Sequence, residues 1–136
     1  MKGTFYNNHK EGEWEYYFVN GKFDMKGEFK KDLQDGFWEY FYPSGQLYYE
    51  GSFVNGQKNK NWKFYYNNGK IWKEGVYQFD QKNGNWTTYF ESGQKAMEGK
   101  FKNDKEDGVW KSWYENGQLK DKGYFSGIIN LWCLDN

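Results

Sequence analysis

Arginine is absent from this 136-residue chain, and all 19 of its cationic side chains are lysines. Nothing in it can make the planar, bidentate fork with which guanidinium groups hold phosphate, carboxylate or guanine. The lysines are balanced by 19 acidic residues, so the formal net charge is zero. That balance excludes the broad positive field of a nucleic-acid binder. A single cysteine, Cys133, rules out an internal disulfide and a cysteine-based metal site. Near the end of an apolar segment, it reads as a packed thiol. A single histidine, His9, excludes His-based metal clusters and catalytic triads, and its polar surroundings make it a solvated turn residue. No apolar run approaches the ~20 residues of a membrane span. Phosphate loops, dinucleotide fingerprints and Gly-x-Ser-x-Gly elbows are missing too. The expectation is a chain without catalytic residues, metal or cofactor, and so not an enzyme.

Aliphatic residues are scarce as well. Aromatics make up 24% of the chain, whereas all hydrophobic types together reach only 37%. A compact two-layer globule fills its centre with Leu, Val and Ile, so a repetitive sheet held by flat aromatic contacts fits better. The single proline and the many Asn-Gly, Ser-Gly and Asp-Gly pairs point to frequent turns and no long linker.

What the chain does contain is a 24-residue repeat, marked by Gly3, Gly27, Gly51, Gly75, Gly99 and Gly123. Two residues after each stands an aromatic: Phe5, Phe29, Phe53, Tyr77, Phe101, Phe125. A second glycine recurs at Gly12, Gly36, Gly84 and Gly108, with Lys60 in its place once. Tryptophan follows at Trp14, Trp38, Trp62, Trp86 and Trp110, and a third glycine closes each unit at Gly21, Gly45, Gly69, Gly93 and Gly117. Five full units and a shortened sixth use up the chain, which predicts one domain over residues 1–136.

Each unit reads as two short strands and two turns, because Trp-x-x-aromatic-aromatic is rich in strand formers and ends at a turn glycine. Helix is excluded, since two or three glycines per unit would cost roughly 1 kcal/mol each. The predicted fold is all-β: an elongated, single-sheet antiparallel meander of β-hairpin repeats with about 11 strands. With Asn20 and Gly21 central in a two-residue turn, Phe18 faces Phe23, Tyr16 faces Met25 and Trp14 faces Gly27. The same arithmetic sets Trp38 opposite Gly51, so that an indole lies over a residue with no side chain. The competing reading is a type I turn with a glycine bulge, suggested by Pro43-Ser44-Gly45, which would shift pairing by one residue and exchange the faces.

The pattern resembles the MORN-variant repeat of bacteria, roughly W-x-x-Y-Y-x-N-G-x-x-x-x-x-G-x-Y/F. Trp62-Lys63-Phe64-Tyr65-Tyr66-Asn67-Asn68-Gly69, followed by Glu74-Gly75-Val76-Tyr77, matches it closely. The departures are Lys60 for glycine, and Thr88 and Ser112 for aromatics. Similar proteins are often labelled antitoxin-like, and MORN repeats serve as β-hairpin scaffolds for protein or lipid contacts. The resemblance therefore implies a non-enzymatic protein–protein interaction module, antitoxin- or immunity-like, with a protein partner whose identity is open. The lack of arginine and of net positive charge argues against a phospholipid. The alternative is a cell-wall or glycan binder whose rings stack on sugars. The expected location is the cytoplasm if the chain is complete, and the cell envelope or exterior if a leader was removed.

In the adopted register, four rings form a cluster on the face away from the Trp-Gly ladder: Phe41, Tyr48, Tyr65 and Trp72. Tyr48 and Trp72 stand where other units have Asp24, Ala96 and Lys120, so the repeat does not require them. On the same face Glu28, Glu39 and Glu50 form an acidic row near the N-terminal half. Lys100, Lys111 and Lys122 form a basic row near the C-terminal end. Paired carboxylates could serve a glycosidase, but a one-layer sheet lacks its cleft, and the acidic row reads as solvated. The ring cluster and the basic row are the candidate partner-binding residues. The two sheet edges invite self-association, and the apolar segment from Gly127 to Leu134 is expected to fold over one end as a cap.

Overall fold

The computed structural model describes residues 1–126 and 130–134, with Ser126 and the last segment described by backbone alone. The described residues form twelve strands: β1 (Lys2–Tyr6), β2 (His9–Tyr17), β3 (Phe23–Lys30), β4 (Leu33–Phe41), β5 (Leu47–Val54), β6 (Gln57–Tyr65), β7 (Ile71–Gln78), β8 (Gln81–Tyr89), β9 (Lys95–Lys102), β10 (Lys105–Trp113), β11 (Leu119–Ser126) and β12 (Asn130–Leu134). They lie in one antiparallel sheet in sequence order. The all-β meander is as expected, with one strand more.

That strand corrects the predicted cap. Residues 130–134 pair in the plane of the sheet, with Trp132 opposite Gly123 and Leu134 opposite Asp121. The C-terminal segment extends the meander. The part of the capping segment at 127–129 lies outside the described residues.

Two turn types alternate. Between β2 and β3 the Gly21 amide donates to the Phe18 carbonyl at 2.9 Å, and the Phe18 amide donates to Lys22 at 2.8 Å. Gly21 sits at φ 88°. This is the type I turn with a glycine bulge, not the two-residue turn. The faces nevertheless stay as the first register had them. The turn removes one residue from the pairing, and a bulge at Asp24 returns it, so Tyr17 pairs with Phe23, Tyr16 with Met25 and Trp14 with Gly27. The tight two-residue turns sit at the other edge. Asn7-Asn8, Lys31-Asp32, Asn55-Gly56, Phe79-Asp80 and Asn103-Asp104 all have positive φ at both positions, as type I′ geometry requires. The segment Lys31 to Gly36 is therefore a hairpin and the start of β4, not a loop.

Inside the second strand of each such hairpin lies a wide bulge. Lys26 pairs with Glu39 and Glu28 with Asp35, so Gly27 alone faces Gly36, Phe37 and Trp38. Gly36, at φ 75°, makes the bend. Lys60 holds the same conformation at φ 67° without glycine's freedom.

The bulge is what lets tryptophan fold over glycine. Gly51 has Trp38 as its pairing partner on β4 and Trp62 on β6. The indole that covers it is Trp62: a Cβ on Gly51 would fall well inside contact with three ring carbons of Trp62. The expected cover by Trp38 is thus corrected, since Trp38 lies over Gly27. Each indole also reaches a backbone carbonyl one residue past its glycine. Trp38 donates to Glu28 at 2.9 Å, Trp62 to Ser52 at 3.1 Å, Trp86 to Val76 and Trp110 to Lys100 at 2.9 Å. The aromatic two residues after the glycine then stands edge-on to the same indole, at 5.0 Å for Phe29–Trp38 and 5.1 Å for Phe53–Trp62. Lys10, Lys58 and Lys82 lay their ammonium groups over these ring pairs at 4.9–5.5 Å. In this way a single layer buries Trp38 and Trp62 completely.

Candidate functional site

Among the described residues the buried side chains belong to the ladder face: Trp14, Phe29, Trp38, Phe53, Trp62, Phe64, Tyr77, Trp86, Trp110, Ser112 and Phe125. The opposite face leaves Phe37 55%, Val109 41% and Tyr124 52% exposed, with Phe41, Tyr65 and Val76 half-buried. Strand alternation puts one side chain in two on each face, so the ladder draws the buried rings to one face and leaves the other free of them. A groove of about 560 Å³ crosses the free face and is lined in part by Asn85, Glu98, Lys100, Val109 and Lys111. A neighbouring depression of about 530 Å³, lined by Lys63, Glu74, Val76 and Tyr89 among others, shares Asn85 and Thr87 with it.

The charge rows differ from expectation. Across the free face the pairing runs Glu15, Lys26, Glu39, Glu50, Lys63, Glu74, Thr87, Glu98, Lys111, Lys122. Glu39 and Glu50 are neighbours, but Lys26 stands between Glu39 and the N-terminal strands, with its Nζ 4.0 Å from Glu39 Oε1. Glu28 lies between Glu13 and Asp35. Lys111 and Lys122 are paired, whereas Lys100 sits opposite Asp107 and Asn85. The wide bulge moves each row by two residues at alternate strand pairs, which keeps the face but changes the neighbour. The result is a row of largely alternating sign instead of an acidic end and a basic end.

The four-ring cluster does not form. Phe41 and Tyr65 are on the free face: Lys26 Nζ lies 5.8 Å from the Phe41 ring, and the Tyr65 hydroxyl donates to Glu50 Oε1 at 2.8 Å. Burial and the Glu50 carboxylate push the Tyr65 pKa up. Tyr48 and Trp72 are the bulge residues beside the glycine turns, and they turn toward the ladder side. Tyr48 stacks on Tyr42 at 4.3 Å and meets Tyr49 edge-on at 4.8 Å. Trp72 meets Phe64 edge-on at 6.2 Å and carries Lys73 Nζ over its ring at 4.3 Å. A bulge residue belongs to neither alternating set, which is why the position tolerates Asp24, Tyr48, Trp72, Ala96 and Lys120 alike.

His9 is less idle than its sequence context suggested. Its Nδ1 lies 2.6 Å from Asp32 Oδ2, and the Lys10 amide donates to Asp32 Oδ1 at 2.7 Å. The backbone donor and the His9 contact hold the Asp32 carboxyl below its ordinary range. The same hook recurs as Lys58 amide to Asp80 and Lys82 amide to Asp104, both 2.7 Å, so it ties hairpin to hairpin. Among the described residues no three metal-ligating side chains converge, and no helix is long and apolar enough to cross a membrane.

Comparison with curated proteins finds no match. The family model described as the MORN repeat variant matches residues 34–55, 58–78, 82–103 and 106–126, each match spanning one hairpin closed by a glycine-bulge turn, with its tryptophan and the glycine that pairs with it. Repeats of this kind serve as interaction modules for proteins or membranes. With four matched repeats across most of the sheet, the chain belongs to the MORN repeat variant family.

Proposed function

We propose that the chain is a non-enzymatic module that binds a protein partner through the face opposite the tryptophan ladder. The observation that carries this reading is the division of labour between faces. One face is filled by the interlocked indoles, and the other presents exposed Phe37, Val109 and Tyr124 beside a row of alternating charge. Isolated rings in a self-neutralised field suit a protein surface of matching pattern, and they suit a polyanion poorly. An antitoxin- or immunity-like role is the specific form of this proposal. The glycan alternative draws less support, because the rings of the ladder face are stacked or edge-on to one another, as in Tyr40–Tyr49 at 4.2 Å.

The test is affinity capture from the source cells with three baits. Wild type should retain one specific protein. The free-face variant Val109→Asp/Lys111→Glu should lose it, while Val19→Asp, at a fully exposed turn, should keep it. A partner held equally by all three baits would overturn the assignment of the face. No protein retained by wild type would overturn the function.

A further inference from the structure

One row of the ladder face changes character partway along the sheet. Tyr16, Met25, Tyr40, Tyr49, Phe64, Lys73, Thr88, Met97, Ser112 and Asp121 are successive pairing partners on β2 to β11. Over its first part the row is a column of rings. Tyr40 and Tyr49 stack at 4.2 Å and 16°, and Tyr49 and Phe64 at 5.4 Å and 26°. The strand spacing of about 4.8 Å is close to the stacking distance of aromatic rings, so rings on successive strands pile naturally. The phenols end on donors: Lys10 Nζ reaches the Tyr16 hydroxyl at 3.2 Å, and Gln34 Nε2 reaches the Tyr40 hydroxyl at 2.7 Å.

After Lys73 the rings stop. Thr88 and Ser112 stand where Tyr16, Tyr40 and Phe64 stood, and Ala96 replaces the bulge rings Tyr48 and Trp72. The missing rings leave an open depression of about 570 Å³ lined in part by Thr88, Ala96, Met97, Ser112 and Asp121. Met97, partner of both Thr88 and Ser112, is 38% exposed, although the row places it in ring territory. Two of its polar groups meet: Ser112 Oγ lies 3.3 Å from Asp121 Oδ2. The remaining oxygen of that carboxylate can accept a hydrogen bond.

We propose that this depression is a binding site for one flat aromatic group of the phenol or indole class, which continues the ring column over Thr88, Met97 and Ser112. The repeats themselves show what fills this volume, since three earlier units supply a ring there from their own sequence. A thioether contributes a favourable sulfur–aromatic contact, and Asp121 accepts from the ring's N–H or O–H. The volume falls in the range of small-molecule sites. A free aromatic molecule and a Trp or Tyr side chain offered by a polypeptide share this chemistry.

The chain has three methionines, which makes methyl-labelled methionine a selective probe. Titration with indole should move the Met97 methyl upfield and saturably, with a millimolar Kd on the order expected for a fragment. Met25, at the equivalent place between Tyr16 and Tyr40, should stay still. Thr88→Tyr, which restores the ring of the early repeats, should abolish the shift. If that variant fails to fold, Ala96→Trp, which copies the bulge ring of Trp72, serves the same purpose. An N-acetyltryptophanamide titration separates the sources. A comparable Met97 shift shows that the site admits an indole carried on a peptide backbone, and silence alongside a clear indole shift restricts it to a free molecule. Absence of a saturable indole shift, an equal shift at Met25, or undiminished binding by the folded filled-in variant would overturn the site.

Discussion

Replacing Gly51 with alanine puts a methyl group where the Trp62 ring lies, against Cδ2, Cε2 and Cγ of a side chain that is fully buried. The indole has no free direction to retreat into, because Phe53 stands edge-on to it at 5.1 Å and Tyr77 at 5.9 Å. Overpacking of this kind costs about 1–3 kcal/mol. If the ring lifts, its N–H leaves the Ser52 carbonyl, and a buried donor without a partner adds about 1–3 kcal/mol. The expected total is about 2–6 kcal/mol, read as a fall in the urea midpoint at unchanged slope. The partner of the clash is then identified by a double-mutant cycle. In a Trp62→Ala background the methyl group meets no ring, and Gly51→Ala should become neutral or stabilise by about 0.5–1 kcal/mol through reduced backbone entropy. The coupling between the two positions should therefore be about 2 kcal/mol or more. In a Trp38→Ala background the cost of Gly51→Ala should persist, since Trp38 covers Gly27. Coupling to Trp38 in place of Trp62, or none to either, would refute the geometry of the ladder. A stabilising osmolyte keeps the tryptophan variants folded during the measurement.

Other consequences concern strain and titration. Lys60→Gly should stabilise the sheet by about 1 kcal/mol, because it relieves a left-handed conformation that glycine holds in the sister units. Phe79→Asn should stabilise by roughly 0.5–1 kcal/mol, since Asn7, Asn55 and Asn103 occupy the same turn position at nearly the same φ; thermal or urea unfolding checks both. Burial raises the Tyr40 pKa to about 12, partly offset by the Gln34 hydrogen bond. A raised folded-state pKa gives stability that is complete below the ordinary tyrosine value and is lost as pH climbs through the folded one. Alkaline unfolding should therefore steepen above about pH 10, and Tyr40→Phe should flatten that arm; an unchanged profile would show that Tyr40 does not govern it.

The ladder was legible because both of its members are periodic. Trp38, Gly51 and Phe53 recur at fixed offsets, and only a sheet in which indoles cover glycines makes use of that. The turn was harder. Asn20-Gly21 suits either hairpin type, and the outcome hinged on Asp24, an extra residue with no compositional mark. The turn loses one residue and the bulge regains it, so the faces were right for an incomplete reason. The candidate binding rows were not legible. Glu28 and Glu39 look like neighbours if each strand runs uninterrupted, but Gly36, Phe37 and Trp38 together face Gly27, and periodicity within one strand does not count the residues opposite. Tyr48 and Trp72 stand out as surplus to the repeat, yet as bulge residues they escape strand alternation and turn toward the ladder side. Thr88 and Ser112 were visible as departures; that they open a depression follows only once they are seen flanking Met97.

A partner bound to the face opposite the ladder buries the side chains that strand alternation points there. Hydroxyl-radical footprinting of the captured complex tests it residue by residue. Phe37, Val109 and Tyr124 on the free face should lose reactivity when the partner binds, while exposed Phe5 on the ladder face should keep the reactivity of the isolated chain. Protection of Phe5 with Phe37, Val109 and Tyr124 unprotected would contradict the claim.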